Sequence, residues 1–333
     1  MQYRLAHKTM AITSIQDIHH ILTKRHELLR ATRDFFYERG YLEVETANLM
    51  ATAPPDPHID PLHVQISGKG PFFLHTSPEM GMKKLLRSGH RRIFQVCKVW
   101  RVEDHQEMHN TEFTMVEWYR EGTYREAMHE TEDLVAFIAR RLLHPVPQHL
   151  LPPYPLHELG EVFLKRMGFD PFPLDRGAFF DALRERGFPG IDDRDDWNSL
   201  FFKALIQEID DAIRSPRPSL VAGWPFSIST MAKRRDDNAA VVERFELYID
   251  GLEIANGYTE LVDPAQQRER FEEDNRQRAG MGKRTFPVDE TFLNALKTID
   301  TSCAGVSVGL DRLLMALLEK KTIGDVIPDR LLV

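Results

Sequence analysis

The sequence predicts an α+β fold, a largely antiparallel sheet flanked by helices. Three observations carry that expectation. Strand-like runs are dispersed among amphipathic helical runs and return as hairpins, without the regular βαβ alternation of a parallel sheet. The chain has 333 residues, 42% of them hydrophobic and 28% charged, enough to bury a sizeable core without staples. Its two cysteines, Cys97 and Cys303, stand far apart, so no disulfide framework or CxxC metal knuckle can form.

In chain order, residues 15–39 carry Ile18, Ile21, Leu22, Leu28, Leu29, Phe35 and Phe36 at helical spacing, and Gly40 stops the helix. Tyr41, Leu42, Val44 and Thr46 then suggest a short strand. A loop with Pro54, Pro55, Pro57 and Pro61 leads into two further strand-like runs ending at Leu74. Ser77 caps a helix whose first turn holds Pro78 and Glu79 and which Gly89 ends. Residues 92–101 and 112–120 pair as an antiparallel hairpin with a long polar tip, and 124–142 are helical. Five prolines between positions 145 and 155 allow neither helix nor central strand, so that run is a connection. A mostly helical connecting region extends over about 145–218, within a chain read as one domain over 1–333. Strands return at 219–224, 243–250 and 252–261, helices at about 264–280 and 288–299, and a glycine-spaced strand runs into an apolar helix at 305–312.

Several function classes are excluded at this stage. Residues 1–12 hold no apolar leader segment, no run approaches 18 apolar residues, and free cysteines suit a reducing cytoplasm, so a cytoplasmic protein without a membrane partner is expected. With 43 Lys+Arg against 51 Asp+Glu the net charge is −8, which argues against a broad basic nucleic-acid surface. Lys83, Lys84 and Arg87 read as the exposed side of a helix and Lys233-Arg234-Arg235 as a solvated loop. The 14 histidines show no paired metal-ligand spacing.

Three segments hold chemistry-bearing residues. On the strand after the hairpin tip, Phe113, Met115, Glu117 and Tyr119 share one face, with Arg101 on the partner strand. Alone, that face fits a half-exposed sheet with solvated charge. Glu246 and Glu253 meet across a hairpin turning at Asp250-Gly251, and two carboxylates on one face suit a hard cation such as Mg²⁺, although two exposed glutamates on an edge hairpin fit as well. Asn256, Tyr258 and Glu260 share a face beyond them. Gly305, Ser307 and Gly309 allow close approach of a ligand or of another backbone, with Arg312 in the following turn.

In this order the segments resemble the three signature motifs of class II aminoacyl-tRNA synthetases, in the lysyl branch of the lysine, aspartate and asparagine subgroup. The matching stretches are Thr76-Ser77-Pro78-Glu79, Arg101-Val102-Glu103 with 109–117, Arg244-Phe245-Glu246, 253–261 and Gly309-Leu310-Asp311-Arg312. The first-motif helix starts near residue 20, which leaves no room for the N-terminal OB-fold anticodon domain of lysyl-tRNA synthetases. The chain therefore resembles the freestanding lysyl paralogues, whose family ligates lysine or (R)-β-lysine onto a lysine of elongation factor P.

The resemblance implies a class II catalytic core, ATP as substrate with Mg²⁺, elongation factor P as partner in place of tRNA, and a homodimer. It implies that Arg101 holds the α-phosphate and the amino-acid carboxylate, where a planar five-donor fork suits oxyanions. Phe113 would stack on adenine with Arg312 on its other side, making Arg101 and Arg312 the catalytic cations. Glu103 would bind near adenine, His109 near the triphosphate, and Glu246 and Glu253 would hold Mg²⁺. Glu79 would take one substrate amine, Glu117, Tyr119 and Glu260 the other, and Asn256, Tyr258 and Ser307 would line the pocket. Three carboxylates suit two ammonium groups and exclude aspartate or asparagine, which would need cationic partners.

The chain departs from the pattern at four positions. Ala47 replaces the proline that usually ends the first motif at the dimer interface, Val102 an asparagine, and Thr111 a proline. Ser307 replaces a glycine typical of true lysyl-tRNA synthetases, at a site where the elongation-factor ligases carry a larger residue. Two other readings stay open: a minimal lysyl-tRNA synthetase-like enzyme that charges tRNA, and a non-catalytic amino-acid-binding paralogue. Retention of Arg101, Phe113, Glu246, Glu253 and Arg312 together weighs against the latter.

Overall fold

The computed structural model describes residues 15–102, 107–208, 213–229 and 231–329. The first half runs α1 (Ile15–Glu38), β1 (Leu42–Glu43), β2 (Leu49–Met50), β3 (His63–Gln65), β4 (Pro71–Leu74), α2 (Glu79–Leu86), β5 (Ile93–Trp100), β6 (Glu112–Glu121) and α3 (Tyr124–Leu142). The rest runs β7 (Leu156–Glu158), α4 (Leu159–Met167), α5 (Arg176–Glu185), α6 (Trp197–Glu208), β8 (Ser219–Ala222), β9 (Arg244–Ile249), β10 (Leu252–Thr259), α7 (Pro264–Gly280), α8 (Glu290–Leu296), β11 (Cys303–Gly309) and α9 (Leu310–Leu317).

An eight-stranded sheet in the order β1-β5-β6-β11-β10-β9-β8-β7 organises these elements. Its inner pairs are antiparallel, as expected, and both edge pairs, β1–β5 and β7–β8, are parallel. A second sheet, β2-β4-β3, stands apart. Among the described residues the strands form these two sheets and no barrel.

Period two along the strands sorts the side chains. Val116 and Trp118 of β6 and Val306 and Val308 of β11 join a buried cluster with Phe35, Phe36, Leu134, Ile138, Leu313 and Leu314 of α1, α3 and α9. Burying a large apolar side chain contributes about 1.5–3 kcal/mol, so this layer holds one face of the sheet firmly. Trp118 and Tyr41 both donate to Glu130 Oε2, at 3.0 and 2.7 Å, which satisfies their buried polar atoms. The alternate residues of β6 and β11 face the other way, toward α2, α7 and α8, and build the site described below.

Local signals explain the element ends. Gly40 adopts φ +73° where α1 stops, a conformation that costs a residue with a Cβ dearly. A Thr123–Glu126 capping box starts α3. Asp250 and Gly251, both at positive φ, turn β9 into β10. In the proline-rich connection the chain takes one 3₁₀ turn, Gln148–Leu150. It then contributes β7 to the main sheet, a strand the helical reading of this region did not include.

Candidate active site

The outward residues of β6, β9, β10 and β11, together with the start of α2, line a cavity of about 530 Å³. That size suits a small organic ligand. Phe113, Met115, Glu117 and Tyr119 alternate along β6 and all reach it. So do Asn256, Tyr258 and Glu260, then Gly305, Ser307 and Gly309. The register explains the convergence: Ser307 lies between Glu117 on one neighbouring strand and Asn256 on the other, and Asn256 lies beside Glu246. Arg101, His109, Glu246, Glu253, Arg312 and Glu79 complete the set, so every predicted site residue except Glu103 lines one cavity. Glu103 lies outside the described residues.

Gly305 is required for a close approach. A Cβ there would collide with Glu260 Oε1 and come within 2.5 Å of Tyr119 Cε1. At Gly309 the nearest atom, Arg312 Cβ, is 4.0 Å away, so that glycine answers no such crowding.

Glu79, Glu117 and Glu260 form a carboxylate cluster. Ser77 Oγ and Tyr119 Oη donate to the two oxygens of Glu117, each at 2.7 Å. Tyr258 Oη donates to Glu79 Oε1 at 2.5 Å. Burial, then the Glu79 charge, pushes the Glu117 carboxyl up to about 7, against the pull of Ser77, Tyr119 and Lys83. Burial also pushes Glu260 up, to about 8, although Lys83 beside it works in the opposite direction. The geometry decides in favour of an ionic Lys83–Glu260 pair, and the proton retained near neutral pH belongs to the cluster as a unit.

Lys83 corrects the sequence reading. It is fully buried, with Nζ 2.5 Å from Glu79 Oε1 and paired to Glu260, not on an exposed face. Burial opposes its charge, but Glu260 and Glu79 outweigh that and hold it protonated. Lys84 pairs with Asp289 at 2.5 Å. In the Lys233-Arg234-Arg235 stretch, read as a solvated loop, Lys233 pairs with Asp236 and Glu243, Arg235 with Glu158 and Asp237, and Arg234 stacks 3.4 Å over Phe226.

The cationic groups are held by backbone. Arg101 Nε donates to Thr76 O at 3.0 Å, and its Cζ stands 5.3 Å from the Phe113 ring centroid. Arg312 donates through Nη1 to Glu253 O at 3.1 Å. A guanidinium carries five N–H donors in a planar fork, a geometry that suits an oxyanion. Burial and the Glu253 charge push Glu246 up to about 7, against Arg244 and Tyr248, which both donate to it. Arg244 went unassigned in the sequence; it is half-buried, and Glu246 and Glu253 overcome the burial penalty and hold its charge.

Among the described residues no group of three or more His, Cys, Asp or Glu side chains could hold a metal ion by itself. Glu246 and Glu253 nevertheless fit Mg²⁺, which commonly takes one or two carboxylates and completes its shell with water and substrate phosphates. Their mutual repulsion, visible in the raised Glu246 pKa, is what a cation would relieve. Burial pushes both thiols, Cys97 and Cys303, up to about 12, so neither is poised as a nucleophile.

Two walls had no sequence signal. Pro54, Asp56, His58 and Ile59 of the proline-rich loop close one side, and Phe202 and Leu205 of α6 join them. The His58 and Phe202 rings stand 6.2 Å apart.

This geometry can be compared with known proteins. A family model described as tRNA synthetases class II (D, K and N) matches residues 1–328. The chain belongs to the class II tRNA synthetases. Membership implies use of ATP. An elongation factor P–(R)-β-lysine ligase of Pectobacterium atrosepticum is 36% identical over 314 residues, covering 92% of this chain and 93% of that protein. Proteins of the same name from Sodalis glossinidius and Salmonella typhi are 36% and 34% identical, each with 92% of this chain and 93% of the relative covered. As a class II synthetase fold, the chain carries the family's antiparallel core in β5, β6, β11, β10, β9 and β8. Among its described residues no helix is long and apolar enough to cross a membrane.

Proposed function

We propose that this class II protein uses ATP to activate lysine or (R)-β-lysine as an adenylate and transfers it to a lysine side chain of elongation factor P. The observation that carries the substrate class is the cluster of buried Glu117 and Glu260 with half-buried Glu79, in the same cavity as Arg101. Ammonium groups need anionic partners once desolvated, and a carboxylate needs a cation. The names of the relatives support the acceptor.

In the first step the amino-acid carboxylate attacks the α-phosphorus, forming a mixed anhydride and releasing pyrophosphate. We assign Arg101 to the carboxylate and the α-phosphate, where a fixed guanidinium stabilises negative charge that shifts between oxygens. Phe113 offers an aromatic face for adenine, and Arg312 and His109 supply donors toward the phosphates. Glu246 and Glu253 would hold Mg²⁺, which would neutralise charge on the leaving pyrophosphate. Glu79, Glu117, Tyr119 and Glu260 bind the two amines, and Asn256, Tyr258 and Ser307 shape the wall beside the side chain. In the second step the acceptor amine attacks the carbonyl carbon, an amide C–N bond replaces the anhydride C–O bond, and AMP leaves.

A homodimer through α1 accords with the exposure of Ile15, Leu22 and Tyr37 on that helix. ATP and a translation factor as substrates set the reaction in the cytoplasm. The test is ATP–pyrophosphate exchange with single amino acids. Exchange stimulated by lysine or β-lysine, and not by aspartate or asparagine, supports the reading; stimulation by aspartate overturns it.

A further inference from the structure

Lys83 is a charged group to which the reaction above gives no role, and it is completely buried. Its Nζ touches Glu79 and Glu260, two of the three carboxylates of the amine-binding cluster. Met231 Sδ lies 3.5 Å away and the Tyr258 ring centroid 5.5 Å away. The titratable groups that face this cluster are Glu79 from α2, Glu117 and Tyr119 from β6, Tyr258 and Glu260 from β10 and its end, and Cys303 from β11. The tyrosines and the thiol are neutral there, so the carboxylates and Lys83 alone carry charge.

Three carboxylates against one ammonium leave a formal charge of minus two. An amino acid with two ammonium groups brings that sum to zero, whereas one with a single ammonium leaves a buried carboxylate without a counter-ion. Lys83 also bridges Glu79 and Glu260, which would otherwise repel each other across the space the substrate needs.

We propose that Lys83 is a resident counter-ion that sets the amine pocket at a formal minus two once its carboxylates are ionised, orients Glu79 and Glu260, and so selects amino acids bearing two ammonium groups. It is a positioning residue, acting through those carboxylates, and the inference rests on the lysine-activating reading. Nearness of an opposite charge favours the ionised form of a carboxylate, so removing the Lys83 charge makes the cluster hold its protons to higher pH. Two incoming ammonium groups must then displace more protons.

The experiment is lysine-dependent ATP–pyrophosphate exchange by Lys83→Met, followed from about pH 6 to 9. The acid limb of kcat/KM for lysine is expected to move up by at least about one pH unit. At neutral pH the lysine KM should rise about tenfold, a defect that narrows as pH rises, while the KM for ATP changes less than about twofold. A defect of equal size at every pH, with the acid limb unmoved, would mean that Lys83 only fills space and overturns the proposal. The double variant Lys83→Met with Glu260→Gln removes both ends of the ion pair and restores the sum of minus two. It covers the case in which the single variant fails to fold, because it removes the Lys83–Glu260 ion pair as a unit and does not leave Glu260 as a buried carboxylate stripped of its cation. Its acid limb should return toward that of the unaltered protein, and a limb still displaced overturns the proposal. Absence of lysine-dependent exchange in the unaltered protein would instead remove the parent reading.

Discussion

The carboxylate of Asp311 accepts the backbone N–H of Thr114 at 2.6 Å. This bond joins the turn that carries Arg312 to the strand that carries Phe113, so the two groups assigned to the nucleotide are held by one buried anion. The other Asp311 oxygen takes the Arg25 guanidinium of α1 at 2.5 Å.

Removing that anion strands its partners. Asp311→Ala leaves Arg25, whose side chain is 15% exposed, without its carboxylate and Thr114 N–H without an acceptor. The expected loss of stability is about 3–5 kcal/mol, read by chemical denaturation. A loss under about 1 kcal/mol would mean that water replaces the carboxylate adequately.

Gly305→Ala tests how tightly the amine pocket is built. The added methyl meets Tyr119 Cε1 and Glu260 Oε1; Glu260 pairs with Lys83 through its other oxygen and Tyr119 donates to Glu117, so neither can retreat without straining those contacts. Overpacking of this kind costs about 1–3 kcal/mol, and a lysine KM raised at least tenfold is the expected kinetic result, about 1.4 kcal/mol of binding. Unchanged kinetics would show that the substrate does not use this floor. The Gly309→Ala variant, with open space at its Cβ, should fold as stably as the parent.

The alternation that places these residues is legible in the sequence. Period two puts Phe113 through Tyr119 on one face, and Asp250-Gly251 marks the hairpin that brings Glu246 toward Glu253. Strands as short as β1 and β7 carry no readable period, so the parallel edge pairs are not predictable. Lys83 was misread because α2 is only eight residues long and covered on both sides. The one available signal was its spacing of four from Glu79, the distance at which helical side chains meet. The contact between His58 and Phe202 joins segments far apart in the chain and has no local signature.

The raised carboxyls couple lysine binding to pH. The coupled carboxylates of this cluster, with Glu117 and Glu260 pushed up to about 7 and 8, together hold a proton in the folded protein that the unfolded chain has already released. Their contribution to stability is therefore full below the ordinary carboxylate range and is lost as pH rises through 7 to 8. The ligand-free protein should melt at lower temperature near pH 8.5 than near pH 6 from this source, and lysine should narrow the difference, because its ammonium groups replace the protons. Calorimetry in two buffers of unlike ionisation enthalpy should record proton release on lysine binding. Proton uptake would reverse the sign and contradict this account of the pocket.

Ser307 sits between Glu117 and Asn256 in the sheet, and its hydroxyl donates to Asn256 O at 3.4 Å. Its side chain occupies cavity floor that a glycine would leave open. Ser307→Gly should raise activation of α-lysine relative to β-lysine in pyrophosphate exchange. A methylene-sized change in such a pocket shifts preference by about 1–3 kcal/mol, so a ratio altered about tenfold is expected. An unaltered ratio would remove Ser307 from the determinants of isomer choice.

The central claim is tested most directly by intact mass. The protein is incubated with ATP, Mg²⁺ and either lysine or β-lysine, with elongation factor P and lysine tRNA offered together. The account predicts a lysyl-sized mass gain on elongation factor P and uncharged tRNA. Charged tRNA beside unmodified elongation factor P would contradict it and make this chain a minimal synthetase.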